Sequence, residues 1–121
     1  MGGSLVAPGM RIISGSAGGL PIQVPRTVLR PTADRVREAV FSILGDRVFD
    51  AHVLDLFAGS GSYGLECLSR GSTAVTFVEA DRSSGVVIKE NLKKARLDGG
   101  TVAGAPVESW LKSRPPEPAY D

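Results

Sequence analysis

One carboxylate, Asp55, stands inside the apolar run of residues 53–57, directly before a cluster of glycines. The glycines at positions 59, 61 and 64 have G-x-G-x-x-G spacing, in which absent side chains let backbone amides and a helix N-terminus approach a ligand. In a parallel sheet the ligand lies beyond the carboxyl ends of the strands, next to the turn after the first strand. We therefore expect Asp55 to lie at a binding site rather than in a core.

The position of this carboxylate distinguishes between ligands. Four residues ahead of Gly59, it would repel the pyrophosphate of a nicotinamide dinucleotide and attract a ligand that carries an ammonium group. S-adenosylmethionine has an ammonium and a sulfonium and no phosphate, so it suits the pattern. Glu79 follows a second predicted strand, 20 residues after Gly59, and is placed to accept both hydroxyls of a ribose.

Alternating strands and helices must position these residues. From residue 51 the predicted strands are "HVLDLF", "AVTFVEA" and "TVAG", and the predicted helices run through "YGLECLSR", ended by Gly71, and over about residues 83–96. Strand–helix repetition implies parallel strands joined by right-handed crossovers. Residues 51–121 are thus expected to form part of an α/β, doubly wound, Rossmann-like domain.

Residues 1–50, which precede this region, have a different sequence pattern. Residues 1–9 lack charge and pattern, and we expect a flexible extension there. Residues 10–50 read as a small hairpin, "MRIISG" and "LPIQVP" around the turn-like "SAGG", followed by a helix that Thr32 can cap with Asp34 in its first turn. The helix shows one apolar stripe at helical spacing, which leaves Arg35, Arg37 and Glu38 facing outward. The stripe consists of Val36, Val40, Ile43 and Leu44.

Positive charge is concentrated in this front part. Residues 10–40 hold five arginines against two acids, a net charge of +3, while residues 41–121 hold nine bases and eleven acids, a net charge of −2. Arginine suits bidentate phosphate contact and stacking on bases, so the arginines are either a nucleic-acid surface or a solvated face.

Length and composition exclude several classes of protein, among them membrane-spanning and secreted ones. A chain of 121 residues with 42% apolar and 22% charged residues fits one globular domain. No apolar run approaches the roughly 18 residues that span a bilayer, and the first residues do not resemble a signal peptide, so we expect a cytoplasmic protein. Cys67 is the sole cysteine and is expected to be a small core residue, and the lone His52 gives no reason to expect a metal site.

Four stretches together carry a family resemblance: "MRIISGSAGG", "LRPTADRVREAVFSIL", "VLDLFAGSGSYGLECLSRG" and "VTFVEAD". They resemble the RsmD family of bacterial 16S ribosomal RNA guanine-N2 methyltransferases over about residues 10–91. The D-x-F-A-G-S-G element marks many class I methyltransferases, whereas R-P-T-x-D-x-V-R-E points to this family. The resemblance implies methyl transfer from S-adenosylmethionine to the exocyclic amine of a guanine in 16S rRNA, free or in an assembling small ribosomal subunit.

The resemblance also implies roles for individual residues. Asp55 and the following turn would hold the methionine part of the cofactor, Glu79 the ribose, and Ala80 and Asp81 would border the adenine. The turn residues are Phe57, Ala58, Gly59, Ser60 and Gly61. The residues that match the family's basic front end, and hence its expected RNA contacts, are Arg11, Arg30, Arg35 and Arg37.

Two departures from the family pattern modify these expectations. Many class I enzymes bind the adenine amino group with an acid after the third strand, where this chain has Ala105 and Pro106. By the resemblance Ala105 is among the cofactor-binding residues, and a backbone amide or Glu108 could substitute for the acid. Relatives continue into a D-P-P-Y type motif that positions the target amine, whereas this chain stops at Asp121. We therefore assign no catalytic residue and expect a fragment or truncated product that binds cofactor but is inactive alone.

Three further expectations follow from the sequence. The strand "HVLDLF" would lack its neighbour in the sheet, so its exposed edge could drive self-association. A non-catalytic RNA-binding module on a methyltransferase-like scaffold is one alternative function. The fragment of a nicotinamide-dependent oxidoreductase is the other.

Overall fold

The computed structural model describes residues 6–25, 34–113 and 120–121. In this part of the chain two strands precede a helix, and strands then alternate with helices. In chain order the elements are β1 (Val6–Arg11), β2 (Pro21–Pro25), α1 (Asp34–Leu44), a 3₁₀ helix (Gly45–Val48), β3 (His52–Leu56), α2 (Ser62–Ser69), β4 (Ala74–Val78), α3 (Arg82–Lys94), β5 (Gly100–Ala103) and α4 (Val107–Ser113).

The three strands β3, β4 and β5 form a parallel sheet in that order. Asp55 of β3 lies opposite Phe77 of β4, which in turn lies opposite Val102 of β5. Consecutive parallel neighbours require a helical crossover between each pair, and α2 and α3 supply the two crossovers. The predicted α/β, Rossmann-like architecture is confirmed.

Side chains from other elements contact both faces of this sheet. On one face a Cβ added to Gly64 of α2 would meet the ring of Phe77 at 2.2 Å, so only glycine allows this close approach. On the other face the hydroxyl of Tyr120 donates to Thr76 Oγ1 at 3.2 Å, and the Tyr120 ring lies 6.3 Å from that of Trp110 in α4. Side chains alternate along β4, which explains why Phe77 and Thr76 serve opposite layers.

The hairpin begins earlier than predicted. β1 and β2 pair antiparallel from Val6 opposite Pro25 to Arg11 opposite Pro21, with an irregularity in the register between Ala7 and Met10. Residues 6–9 of the expected flexible extension therefore belong to a strand, and that boundary was wrong. Backbone pairing with β2 orders this segment, and backbone pairing needs no hydrophobic pattern in the sequence.

The tip of the hairpin docks on the end of α2. Ser16 N–H donates to the carbonyl of Ser69 at 2.8 Å, and Ala17 N–H donates to Ser69 Oγ at 2.9 Å. Gly15, at φ +87°, passes so close that an added Cβ would lie 1.9 Å from that carbonyl oxygen. The turn "SAGG" is thus anchored to α2 through buried Ala17, while Ser16, Gly18 and Gly19 stay exposed.

Helix α1 is rotated relative to the prediction. Val36 is 51% exposed and Ile43 is 81% exposed, while Arg37 and Phe41 are buried. Arg37 Nη2 donates to the carbonyl of Arg11 at 2.7 Å and pairs with Asp34 Oδ1. Tertiary partners therefore set the buried face of the helix, and the predicted outward position of Arg37 was wrong.

The predicted helix cap, Thr32, lies outside the described residues.

Aromatic contacts join α1 to α2. Phe41, one turn after Arg37, stacks on Tyr63 with the ring centroids 6.1 Å apart. The guanidinium of Arg70 lies over the Phe41 ring, 4.7 Å from its centroid. These contacts tie α1 to α2.

A second buried charge, Glu66 of α2, joins the hairpin to the domain. Its two carboxylate oxygens accept from the backbone N–H groups of Ile13 at 2.9 Å and Ser14 at 3.0 Å. Arg70 Nε donates to Oε2 at 2.8 Å, and Arg37 Nη1 lies 3.8 Å from Oε1. Glu66 and Arg37 are both 0% exposed, and such charges are tolerated only when paired.

The outer edge of β3 meets the last residues of the chain. Asp121 N–H donates to the carbonyl of His52 at 2.8 Å, and His52 N–H donates to Asp121 Oδ2 at 2.8 Å. Within the described residues β3 pairs along its length only with β4. Self-association through this edge stays a prediction.

Two other expectations concern burial and length. Cys67 is buried in the hydrophobic core, as predicted, and burial raises the pKa of its thiol to about 12. None of the helices in the described ranges is long and apolar enough to cross a membrane.

Replacing Arg37 tests the buried ion pair. Arg37→Ala leaves Glu66 buried with one opposite charge fewer, so we expect a loss of about 3 kcal/mol in the free energy of unfolding. The exposed neighbour Arg35→Ala is the matched control and should change stability by less than about 0.5 kcal/mol. Urea denaturation measures both, and equal stability of the two variants would contradict this role of Arg37.

Candidate functional site

The turn between β3 and α2 is held by hydrogen bonds to the end of β4. Phe57, at φ +56°, Gly59, at +56°, and Gly61, at +79°, all have left-handed backbone conformations. Ala58 N–H donates to the carbonyl of Val78 at 3.0 Å, and Gly61 N–H donates to the carbonyl of Ala58 at 2.8 Å. A phenylalanine in this region is strained, which is typical of residues that a binding site holds in place.

Glu79 connects this turn to the next loop. Its Oε1 accepts from Gly59 N–H at 2.7 Å, and its Oε2 accepts from Asp81 N–H at 2.9 Å. A carboxylate oxygen has two lone pairs, so each oxygen keeps one for a further donor. The two backbone amides thus orient a carboxylate that can still accept two hydroxyl groups.

Asp55 faces the first turn of α2. Its Oδ2 accepts from Gly64 N–H at 3.1 Å. The N-cap residue of α2 is Gly61, which has no side chain to cap the helix. Burial raises the pKa of Asp55 from 3.8 to about 7, the hydrogen bond from Gly64 opposes the rise, and the negative charge of Glu79 adds to it. A cation placed beside Asp55 would favour the ionised form.

Asp81 caps helix α3. Its Oδ2 accepts from Ser84 N–H at 2.9 Å, from Ser84 Oγ at 2.8 Å and from Ser83 Oγ at 2.6 Å. This is the ordinary role of an aspartate directly before a helix. The structure therefore shows Asp81 as a structural cap, and its predicted position beside an adenine stays a prediction.

A cleft of about 310 Å³ opens at the carboxyl ends of the strands. Its lining residues lie at or just after the ends of β3, β4 and β5, so the ends of all three strands border the cleft. They are Phe57, Val78, Glu79, Ala80, Pro106, Val107 and Glu108. Three of the predicted cofactor residues, Phe57, Glu79 and Ala80, are among them. The other predicted residues do not line this cleft; they are Asp55, Ala58, Gly59, Ser60, Gly61, Asp81 and Ala105.

Two lining residues carried no signal that sequence reasoning used. Val78 is the last residue of β4, and Val107 is the first residue of α4. Both are apolar and buried, so the sequence alone suggests that they are core residues. Their position at the carboxyl edge of the sheet, which only the sheet order reveals, makes them walls of the cleft.

The predicted RNA-contacting arginines are separated by the structure. Arg11 and Arg35 are exposed, and their side chains can reach a partner. Arg37 is buried in the ion pair with Glu66, so its assignment to RNA was wrong. Arg30 lies outside the described residues.

In the described part of the chain, no three histidine, cysteine, aspartate or glutamate side chains cluster as metal ligands would.

The fold is Rossmann-like and of the class I methyltransferase type. It combines parallel strands, a glycine turn tied to a strand-end carboxylate and a cleft across three strand ends. The C-terminal domain of precorrin-6Y C5,15-methyltransferase from Rhodobacter capsulatus shares this fold. That likeness has a TM-score of 0.63 at 19% identity and covers 72% of this chain and 47% of that one.

Sequence comparison gives the family. A family model described as "Conserved hypothetical protein 95" matches residues 10–119. Ribosomal RNA small subunit methyltransferase D of Escherichia coli is 40% identical over 106 residues, which are 87% of this chain and 54% of that protein. The homologous protein of Haemophilus influenzae is 37% identical over 115 residues, which are 93% of this chain and 60% of that protein. The chain belongs to the RsmD family, as the resemblance predicted.

Solved structures agree with this membership. The yhhF protein of Escherichia coli superposes with a TM-score of 0.78 at 41% identity, over 84% of this chain and 56% of that one. The protein TTHA0928 of Thermus thermophilus gives a TM-score of 0.76 at 37% identity, over 86% of this chain and 60% of that one. The chain thus spans little more than half the length of the relatives that it matches.

The raised pKa of Asp55 predicts a pH-dependent stability. Since its pKa is about 7 in the folded chain against 3.8 as the usual value, its contribution to stability is complete below pH 4 and lost as the pH rises through 7. Asp55→Asn still accepts from Gly64 but does not titrate. We expect the wild type to lose about 2–3 kcal/mol of unfolding free energy relative to this variant between pH 5 and pH 8.

Urea denaturation at both pH values measures this loss. Asp98→Asn, at an exposed aspartate outside the site, is the control and should show no such difference between the two pH values. A difference between wild type and Asp55→Asn that is the same at pH 5 and pH 8 would show that Asp55 titrates normally.

Proposed function

We propose that this chain is the S-adenosylmethionine-binding part of a methyltransferase that modifies the exocyclic N2 of a guanine in 16S rRNA. The observation that carries the proposal is the pair of strand-end carboxylates, Asp55 and Glu79, on either side of a glycine turn. The names of the relatives, ribosomal RNA small subunit methyltransferase D, support the RNA class.

The charges at the site fit this cofactor. Two carboxylates, Glu79 and Glu108, and no basic side chain line the cleft within the described residues, and Asp55 adds a third acid behind the turn. A pyrophosphate would meet only repulsion there, whereas an ammonium and a sulfonium would be attracted. The acidic site therefore favours S-adenosylmethionine over a nicotinamide dinucleotide.

Each residue then has a binding role. When bound, S-adenosylmethionine supplies a methyl group on a positively charged sulfur. Asp55, with the turn of residues 57–61, holds the ammonium end, since its ionised form is stabilised by a neighbouring cation. Glu79 accepts the ribose hydroxyls with the lone pairs that Gly59 and Asp81 leave free. Phe57 and Val107 provide the apolar walls for a purine.

Recognition of RNA is proposed for the exposed front of the chain. Arg11 and Arg35 are exposed on the hairpin and on α1, and either can contact phosphate bidentately. The substrate that we propose is 16S rRNA, free or in an assembling small ribosomal subunit, with the guanine amine directed toward the cleft.

Ligand titration tests the cofactor. S-adenosylhomocysteine should raise the melting temperature of the chain, and NADH should not. Glu79→Gln loses one acceptor oxygen and should weaken binding of S-adenosylhomocysteine about tenfold. Glu90→Gln, at an exposed glutamate of α3 outside the cleft, is the control and should bind normally.

Two outcomes would overturn this assignment. Tighter binding of NADH than of S-adenosylhomocysteine would favour the oxidoreductase alternative. If the chain binds RNA but no adenosyl ligand raises its melting temperature, a non-catalytic RNA-binding module on the same scaffold would be favoured.

A double substitution tests the RNA surface. Arg11→Ala together with Arg35→Ala removes two exposed charges, so the slope of log affinity against log salt for a 16S rRNA fragment should fall by about 1–2. Lys89→Ala with Lys94→Ala, on exposed positions of α3, is the matched control. Filter binding at several salt concentrations measures both, and equal slopes for the two double variants would refute a specific role for the front arginines.

A further inference from the structure

A second groove opens among the described residues at the end of the sheet opposite the cleft, with a volume of about 490 Å³. Phe49 and Arg70 border it, and they lie close to the starts of β3 and β4, respectively. The cleft borders the carboxyl ends of the same strands, so the five residues of β3, about 17 Å, separate the two openings. A ligand in this amino-end groove is therefore distinct from the cofactor. The residues that line it are Phe41, Gly45, Asp46, Val48, Phe49 and Arg70.

The ring of Phe49 forms an exposed wall of the amino-end groove. Its side chain is 63% exposed, although burial of a phenylalanine is favourable. The ring is fixed from behind, because a Cβ added to Gly71, at φ +104°, would lie 2.7 Å from Phe49 Cδ2. Its backbone is held as well, since Phe49 N–H donates to the carbonyl of Asp46 at 3.1 Å and Asp50 N–H donates to the carbonyl of Gly71 at 2.9 Å. The structure thus holds a flat apolar surface in place and leaves most of it open.

The guanidinium group of Arg70 borders the same groove. Its Nε donates to Glu66 Oε2 at 2.8 Å, and the group lies over the ring of Phe41, 4.7 Å from the centroid. These contacts fix the plane of the group and leave the side chain 22% exposed. Within the described ranges, Nε alone of its side-chain nitrogens donates to a protein acceptor. The two terminal Nη groups can therefore donate to a ligand.

Asp46 adds an acceptor to the amino-end groove. It is an exposed residue of the 3₁₀ helix that follows α1. An ionised carboxylate only accepts hydrogen bonds, whereas a guanidinium only donates them. The lining thus combines an aromatic face, a donor and an acceptor. A phosphate would use only the donor and a hydrocarbon only the aromatic face, while a nucleobase uses all three.

We propose that the amino-end groove binds a guanine of single-stranded RNA, at a nucleotide other than the methyl acceptor. Unpaired bases stack on aromatic rings and arginine planes, and proteins read them along their edges. Guanine has two acceptors, O6 and N7, on the edge that arginine contacts, and two donors, N1–H and the 2-amino group, that suit a carboxylate. The base stacks on Phe49, Arg70 donates to the first edge, and Asp46 accepts from the second.

This inference rests on the proposed function for the choice of RNA and adds a second point of contact with it. The amino-end groove begins where α1 ends, and α1 carries the exposed Arg35 near its start. The helix has 11 residues and is about 16 Å long. A short RNA segment that contacts Arg35 can therefore reach the groove along α1.

Two RNA hexamers test the reading of the base. They are UUUGUU and the same hexamer with inosine in place of guanosine, which lacks only the 2-amino group. Wild type should bind the guanosine hexamer about three- to tenfold more tightly, as one hydrogen bond predicts. Asp46→Ala should bind both hexamers equally, and fluorescence anisotropy measures the four affinities. Asp98→Ala, at an exposed aspartate outside the groove, removes the same charge and should keep the preference.

Replacing Phe49 tests the stacking surface. Phe49→Ala should bind both hexamers about fivefold more weakly or worse, because a base loses its aromatic partner. Val86→Ala, at an exposed valine of α3 outside the groove, is the control and should bind as wild type does. Urea denaturation shows whether Phe49→Ala is folded. If it is not, Phe49→Leu, which keeps an apolar side chain without the aromatic face, takes its place and should show the same loss.

The outcomes separate this inference from the proposed function. The guanine site is refuted if wild type binds neither hexamer or binds both equally, if Asp46→Ala keeps the preference, or if the Phe49 variant binds as wild type does. The proposed function still stands after any of these results, provided that S-adenosylhomocysteine raises the melting temperature and the 16S rRNA fragment binds. If the 16S rRNA fragment does not bind, the RNA part of the proposed function fails, and this inference fails with it.

Discussion

The carboxylate of Glu79 holds the candidate site together. It accepts the N–H of Gly59 from one loop and the N–H of Asp81 from the next, so two neighbouring strand ends share one anchor. Charged hydrogen bonds of this kind are about twice as strong as neutral ones. The strained turn at Phe57 and the cleft beside it depend on this anchor, because it fixes the distance between the two loops that border them.

Glu66 acts in the same way on the other side of α2. It accepts backbone amides of the hairpin at Ile13 and Ser14, and it faces the guanidinium groups of Arg37 and Arg70. A buried carboxylate needs such partners, and the hairpin supplies two of them. One helix thus carries both the glycine turn of the site at its start and the docking surface for the front of the chain along its length.

The distribution of charge links this architecture to the proposed function. Acidic groups surround the cleft at the strand ends, while exposed arginines such as Arg11 and Arg35 lie on the hairpin and α1. A cationic small molecule and an anionic polymer would therefore be attracted to different parts of the protein. That separation is compatible with the proposed transfer from a sulfonium cofactor to an RNA base.

The sequence by itself determined the strand–helix alternation, the glycine turn and the strand-end position of Glu79, because each follows from a local pattern of hydrophobicity or spacing. Only the tertiary structure decided that Arg37 is buried and Ile43 is exposed, since the partners of a helix face come from distant segments. It also decided that Glu108 lines the cleft, because sheet order, and not sequence distance, brings α4 beside Phe57. Local propensity fixes the elements, and long-range contacts choose their faces.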